Sequence, residues 1–272
     1  MSNYPNTKIH NTLPKILKHR ADTIPDTVAL RDKDLGIWNE ITWKQYNDKV
    51  SYLALGLEKR GFKAGDVIGL IGDNKPSWLF FELAAQAVGG MSLGIYRDTL
   101  DEEVGYLMNA AKANFVYAED QEQVDKILTI KRPKNNQIKI FYDDSRGLKE
   151  LSDPNITDML VLINEGKAIA AKDPEKYNKM IDKISGEQNA ILCTTSGTTS
   201  NPKLAMLPGG KFVEHVIRYL NVDPKTINDE YVSVLPFPWI MEQTYAVGFN
   251  IVAGMKVNFP ERPETAMEDM RE

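Results

Sequence analysis

A short segment rich in hydroxyl side chains is the part of this sequence best suited to bind a ligand. It reads TTSGTTSNPK, from Thr194 to Lys203. Hydroxyls and successive backbone N–H groups can surround an anion, and a lysine adds a positive charge. Gly197 lets the backbone approach a ligand closely. These residue types predict a polyphosphate site, and the alternative is a solvated polar loop without a ligand.

The position of this segment in the chain supports the first interpretation. It follows an apolar run at residues 189–195 that predicts a buried strand. Loops at the carboxyl edge of a parallel sheet are where such folds bind ligands. The phosphate-binding pattern GxxxxGK[ST] does not fit, because Pro202 rather than glycine precedes Lys203.

The elements around the segment alternate between strand and helix patterns, which predicts right-handed βαβ units and a parallel sheet. Two capping boxes, Thr42 with Gln45 and Thr99 with Glu102, mark helix starts. The predicted strands are 67–72, 91–96, 114–118, 138–142, 189–195, 231–236 and 255–259. The predicted helices are 43–61, 76–88, about 99–111, 121–128, two within 156–183 that break at Asp173 and Pro174, 208–220 and 240–252.

Length and composition limit the class of protein. A chain of 272 residues predicts one large domain or two packed lobes, which we place at 1–186 and 187–272, with residues 1–40 able to pack on the second lobe. The net charge of −5 without a basic stripe argues against nucleic-acid binding. Cys193 is the single cysteine, so no internal disulfide forms and a reducing, cytoplasmic location is expected. Glu82 and Gln86 interrupt the most apolar stretch, which argues against a membrane span.

Residues 195–203 resemble the signature loop of the adenylate-forming superfamily, which includes acyl-CoA synthetases, adenylation domains and luciferases. The family pattern is [ST]-S-G-[ST]-T-G-x-P-K, and Ser200 stands where the family has its second glycine. Residues 42–90 are similar to the family's N-terminal region, and residues 94–128 resemble the long-chain fatty-acid–CoA ligase branch. Residues 235–243, LPFPWIMEQ, resemble a motif in which a histidine lies beside the substrate; Trp239 takes that place here.

This resemblance implies an α/β fold of two packed lobes, made of mainly parallel βαβ units, and an ATP-dependent, AMP-forming fatty acid–CoA ligase. The implied cosubstrates and cofactors are ATP, Mg²⁺ and coenzyme A, and the partners are small molecules. Lys203 would be catalytic, Thr199 would contact the metal, and Trp239 and Glu242 would contact the substrate. The residues implied to bind the nucleotide phosphates are Thr195, Ser196, Gly197, Thr198, Thr199, Ser200, Asn201, Pro202 and Lys203.

The resemblance also bears on how much of a ligase this sequence contains. The family's later motifs are not found in it, so we expect the N-terminal AMP-binding part of a longer synthetase that is inactive alone and self-associates. We expect the parent to be cytoplasmic, with peripheral membrane contact as a further option. Two alternatives stay open: a non-catalytic acyl- or partner-binding protein of the same fold, and an AMP-forming ligase for another carboxylic acid.

Overall fold

The computed structural model describes residues 4–133, 136–149, 152–195 and 202–271. The strands are β1 (Val28–Asp34), β2 (Ile37–Thr42), β3 (Val67–Ile71), β4 (Met91–Ile95), β5 (Phe115–Ala118), β6 (Lys139–Tyr142), β7 (Ile156–Asp158), β8 (Asn189–Thr195), β9 (Lys203–Pro208), β10 (Glu230–Val232) and β11 (Lys256–Phe259). The α-helices are α1 (Leu13–Thr23), α2 (Trp43–Lys59), α3 (Pro76–Val88), α4 (Asp101–Ala110), α5 (Gln121–Leu128), α6 (Met159–Lys172), α7 (Lys176–Asp182), α8 (Gly209–Val222), α9 (Ile240–Glu242), α10 (Asn250–Ala253) and α11 (Ala266–Asp269). A π-helical segment, Gln243–Phe249, joins α9 to α10, and a 3₁₀ turn, Pro263–Thr265, precedes α11.

A seven-stranded sheet in the order β7-β6-β5-β3-β4-β8-β9 forms the centre of the fold. All its neighbouring strands are parallel except β9, which is antiparallel to β8. Successive side chains of a strand point to opposite faces. Ile68 and Leu70 accordingly join the core cluster that contains α2 and α3, whereas Val67 and Ile71 join the cluster that contains α4 and α5. Both faces are covered, as the continuous apolar pattern of β3 predicts.

A four-stranded sheet in the order β10-β11-β1-β2 lies beside it. β1 pairs in parallel with β11 and antiparallel with β2. The mainly parallel α/β fold is as predicted. The division into lobes at residues 186 and 187 stays a prediction, and it does not coincide with the division between the sheets, because β8 is hydrogen-bonded to β4.

Some local predictions are confirmed and others are wrong. Thr42 and Gln45 form the predicted capping box at α2. The box at Thr99 is wrong: Leu100 is the N-cap of α4 and makes no side-chain capping bond. Three acidic residues in the first turn of α4 interact favourably with the helix dipole there. The helix predicted from residue 208 begins at Gly209, after a strand, β9, that was not predicted.

The helices of the described residues do not include one with the length and apolarity that a bilayer crossing needs. α3, the most apolar helix, is buried between its neighbours, with Trp78 and Phe81 fully inside the core. The predicted buried helix is therefore confirmed for this stretch.

Candidate functional site

A cleft of about 550 Å³ opens where the carboxyl ends of β3 and β4 approach the segment that follows β10. Residues 72–75 and 96–98 line one side of it. The other side is formed by residues 233–238, which we call the wall segment, and by Pro260 and its neighbours. Loops at the carboxyl edge of a parallel sheet form the cleft, which is the usual place for a ligand in this fold class.

The hydroxyl-rich segment begins at the same edge of the sheet. Thr195 and Lys203 face each other as the last pair of β8 and β9, and the Thr195 hydroxyl donates to the Lys203 carbonyl at 3.3 Å. Both residues are exposed. Tyr106 of α4 contacts Pro202: its hydroxyl donates to the Pro202 carbonyl oxygen at 3.2 Å. The ends of the predicted phosphate loop therefore lie on β8 and β9, and β8 is next to β4 in the sheet. Tyr96, the residue that follows β4, lines the cleft.

Six of the predicted loop residues lie outside the described residues. They are Ser196, Gly197, Thr198, Thr199, Ser200 and Asn201. Their phosphate contacts, and the contact of Thr199 with Mg²⁺, stay predictions. No group of three or more His, Cys, Asp or Glu side chains is placed to hold a metal ion in the part of the chain that the structure describes.

Three charged side chains from the loops after β3 and β4 line the cleft and form ion pairs. Lys75 forms an ion pair with Glu119 at 2.7 Å, and Arg97 pairs with Asp73. The Asp73 backbone N–H in turn donates to the Glu119 carboxylate. Asp98, Glu122, Glu261 and Glu264 also line the cleft, so its lining carries more acidic than basic side chains. The sequence reasoning did not single out these residues, although their position directly after β3 and β4 was a usable signal.

Glu242 lies under the wall segment and is fully buried. Its carboxylate accepts hydrogen bonds from Tyr231 Oη at 2.6 Å and from Ser233 Oγ. Burial raises the pKa of Glu242 to about 7, while the bonds from Ser233, Tyr231 and the Leu235 backbone oppose that rise. Its described partners are protein groups, and the substrate contact predicted for Glu242 stays a prediction.

Trp239 lies at the start of the short helix α9, which ends at Glu242. It is the N-cap of α9, its backbone N–H donates to the Pro236 carbonyl at 2.9 Å, and its side chain is 45% exposed. Pro236 and Pro238 line the cleft. The position at the border of the cleft is compatible with the predicted substrate contact of Trp239, which remains a prediction.

A second buried carboxylate lies in the core beneath the cleft. Glu82 on α3 is fully buried and accepts hydrogen bonds from Ser92 Oγ at 3.1 Å and Gln243 Nε2 at 3.2 Å. Burial raises the pKa of Glu82 to about 7, and the bonds from Gln243 and Ser92 lower it only in part. Gln243 also donates to the Phe237 carbonyl at 3.0 Å, which connects α3 to the wall segment.

Comparison with known proteins agrees with this architecture. A family model described as AMP-binding enzyme matches residues 17–272. The human long-chain-fatty-acid–CoA ligase ACSBG1 is 28% identical over 256 residues, which cover 92% of this chain and 34% of that protein. The chain thus spans about a third of the length of this curated relative.

Solved structures show the same fold. The N-terminal domain of FACL13 from Mycobacterium tuberculosis matches with a TM-score of 0.74 and 17% identity, over 95% of this chain and 60% of that one. The luciferase-like enzyme of the mealworm Zophobas morio matches with a TM-score of 0.76 and 14% identity, over 98% of this chain and 58% of that one. At these identities the likeness concerns the fold.

Proposed function

This chain belongs to the family of AMP-binding enzymes, and from that membership we propose that it is part of an AMP-forming ligase that joins a fatty acid to coenzyme A. The observation that carries the proposal is the family match over residues 17–272, together with the similarity to ACSBG1. The position of the hydroxyl-rich segment at the carboxyl edge of the seven-stranded sheet supports it.

The reaction has two steps. In the first, a carboxylate oxygen of the acid attacks the α-phosphorus of ATP; a carbon–oxygen–phosphorus linkage forms, the bond between the α- and β-phosphates breaks, and pyrophosphate leaves. In the second, the thiol sulfur of coenzyme A attacks the carbonyl carbon of the acyl adenylate and loses its proton. The bond between the carbonyl carbon and the phosphate oxygen of AMP then breaks, AMP leaves, and the thioester is the product.

The residues around Thr195 and Lys203 would serve the first step. Negative charge develops on the departing pyrophosphate, and preorganised donors and a cation stabilise such charge. The proposed assignment gives Lys203 and the hydroxyl and N–H groups of residues 195–203 to the β- and γ-phosphates. Mg²⁺, when bound with the nucleotide, would neutralise part of the phosphate charge, and Thr199 is the proposed contact.

A long-chain acid is the proposed substrate. The similarity to ACSBG1, named as a long-chain-fatty-acid–CoA ligase, supports this choice. The half-exposed indole of Trp239 beside the cleft offers an apolar surface that suits an acyl chain. Aryl and amino acids are the competing substrates, and the adenylate-trapping assay described next distinguishes them from fatty acids.

The proposal is tested by trapping the acyl adenylate with hydroxylamine in the presence of ATP, Mg²⁺ and a series of carboxylic acids. The product of the complete reading frame should form hydroxamates with palmitate and related acids, and coenzyme A should then give the thioester with release of AMP. The 272-residue chain alone is expected to be inactive. Absence of adenylate with every acid would overturn the proposal, and preference for an aryl or amino acid would change the substrate class.

A further inference from the structure

The side-chain amide of Asn74 connects the two sides of the cleft. Asn74 follows β3, whereas its partners belong to the wall segment. Its Nδ2 donates to Ser233 Oγ at 2.8 Å and to the Leu235 carbonyl at 2.7 Å, and its Oδ1 accepts from the Phe237 N–H at 3.2 Å. Both ends of the amide are in use, so a rotated amide would lose these bonds.

A chain of hydrogen bonds runs from this amide into the protein interior. Asn74 Nδ2 donates to Ser233 Oγ, and the Ser233 hydroxyl donates to Glu242 Oε1. Asn74 Nδ2 also donates directly to Glu242 Oε1, at 3.4 Å. Tyr231 Oη donates to the other carboxylate oxygen, Oε2, at 2.6 Å. Hydrogen bonds in such a chain strengthen one another in a low-dielectric interior. The orientation of Asn74 at the surface of the cleft therefore depends on the state of the buried Glu242 carboxyl.

The wall segment is also packed from below. Phe237 is fully buried and stacks on Trp78 of α3, with ring centroids 5.4 Å apart. Glu242 is followed directly by the π-helical segment Gln243–Phe249, and such segments often occur at functional sites. The packing fixes the middle of the wall segment, while Asn74 and Glu242 fix its edge on the cleft.

Other titratable groups near the pair are already engaged. Tyr231 stacks on Tyr245, with ring centroids 5.7 Å apart. Asp73 and Lys75, on either side of Asn74 in the sequence, form ion pairs with Arg97 and Glu119. The titratable groups that flank the pair are Tyr231, Tyr245, Asp73, Lys75 and, through Gln243, Glu82. Asp73 and Lys75 are each paired with an opposite charge. Two buried carboxyls near the wall segment have a pKa raised to about 7 by burial: Glu242, which Ser233 joins to Asn74, and Glu82, which Gln243 joins to the Phe237 carbonyl.

We propose that Asn74 and Glu242 are positioning residues that, through Ser233, hold the wall segment against the loop after β3 in the arrangement that binds ligand. The part of this inference that concerns ligand binding rests on the proposed function, since the ligand is the acyl adenylate of that reaction. Without these two residues, the wall segment is not fixed before the ligand binds. Binding must then also order the segment, and the entropy cost of this ordering lowers the affinity for the ligand.

The first test is calorimetric titration of the chain with a stable mimic of the adenylate, an acyl sulfamoyl adenosine. Asn74→Ala and Glu242→Leu should each weaken binding by about tenfold, the loss expected when a binding surface is no longer preorganised. Glu242→Gln keeps an acceptor oxygen for Ser233 and should restore most of the affinity. Glu165→Gln is the control, because Glu165 on α6 forms its ion pairs with Lys59 and Arg60, away from the wall segment.

The second test needs no ligand. In an NMR titration, the Phe237 backbone amide and the Asn74 side-chain amide of the unmodified chain should shift with a midpoint near pH 7, where Glu242 titrates. Glu242→Gln should abolish the shift of the Asn74 amide. Glu82→Gln should preserve that shift, although it can alter the Phe237 resonance, because Gln243 joins Glu82 to the Phe237 carbonyl. Flat resonances in the unmodified chain, or wild-type affinity of Asn74→Ala for the mimic, would overturn the inference. Failure of the unmodified chain to bind the mimic would count against the proposed function instead, and the NMR result would then decide the inference.

Discussion

Gly94 on β4 lies directly against Pro238 of the wall segment: a Cβ atom added to Gly94 would stand 2.8 Å from the Pro238 Cα. Real Cβ atoms do not approach a backbone atom so closely, so a larger residue at position 94 must displace either β4 or the wall segment. This contact is therefore a second point at which the seven-stranded sheet sets the position of the wall segment.

Gly94→Ala should consequently destabilise the protein and weaken binding at the cleft. Overpacking of this kind costs about 1–3 kcal/mol in the free energy of unfolding, which urea denaturation measures. Gly105→Ala on α4 is the control, since its Cβ would meet only Ile130 Cγ1 at 3.8 Å and alanine favours a helix. Equal stability of the two variants would contradict the contact at Gly94.

The pH dependence of stability should contain a contribution from Glu82. Its pKa is about 7 in the folded chain and near 4.5 when unfolded, so the folded state holds the proton more tightly. This contribution is fully present below about pH 4.5 and is lost as the pH rises to about 7, with a total of about 3 kcal/mol. Urea unfolding of Glu82→Gln and of the unmodified chain at pH 5 and pH 8 measures it as a difference. A difference that does not change with pH would show that Glu82 titrates normally.

Lys203→Ala should lower the rate of adenylate formation in the complete ligase. Loss of one well-placed group that stabilises transition-state charge costs a factor of about 10²–10³ in rate. Because Lys203 is exposed at the start of β9, its removal should leave the thermal unfolding temperature unchanged. Lys211→Ala is the control, since Lys211 is an exposed lysine of α8 that pairs only with Glu214 among the described salt bridges. An unaltered rate in Lys203→Ala would remove Lys203 from the mechanism.

Trp239→Ala should alter the preference for acyl chain length more than the apparent affinity for ATP. The indole is 45% exposed beside the prolines that line the cleft, so its loss enlarges the space next to an apolar chain. The measurement is hydroxamate formation with acids of increasing length, alongside a titration with ATP. A profile like that of the unmodified ligase would give Trp239 a packing role.

Much of the fold was predictable because its signals are local. β8 ends at Thr195, as the change from apolar to hydroxyl side chains predicts, and α5 has the predicted bounds. β1 and β2 were not predicted, because their sequences mix charged and apolar residues. β1 pairs with β11, a strand that was predicted, but no local pattern indicates which strand is its partner.

The candidate site was predictable only in part, for a related reason. Residue types marked the hydroxyl-rich segment, and helical position marked Glu242 as a polar residue at the start of a helix. No local pattern indicated a role for Asn74, since its hydrogen-bond partners Ser233 and Phe237 are distant in sequence and meet it only in the folded chain. Pairing across the cleft is a property of the folded chain.

The parallel pairing of β1 with β11 also has a consequence for biosynthesis. β1 leaves the ribosome early, but the strand that it needs on one side, Lys256–Phe259, is made near the end of the described chain. Until then the β1–β2 hairpin has an open edge, and open edges pair with other chains. Non-local strand pairing is slow, and nascent chains with exposed edges are prone to aggregate. Among the elements described, the four-stranded sheet should therefore be the last to form during translation and the one that depends most on chaperones.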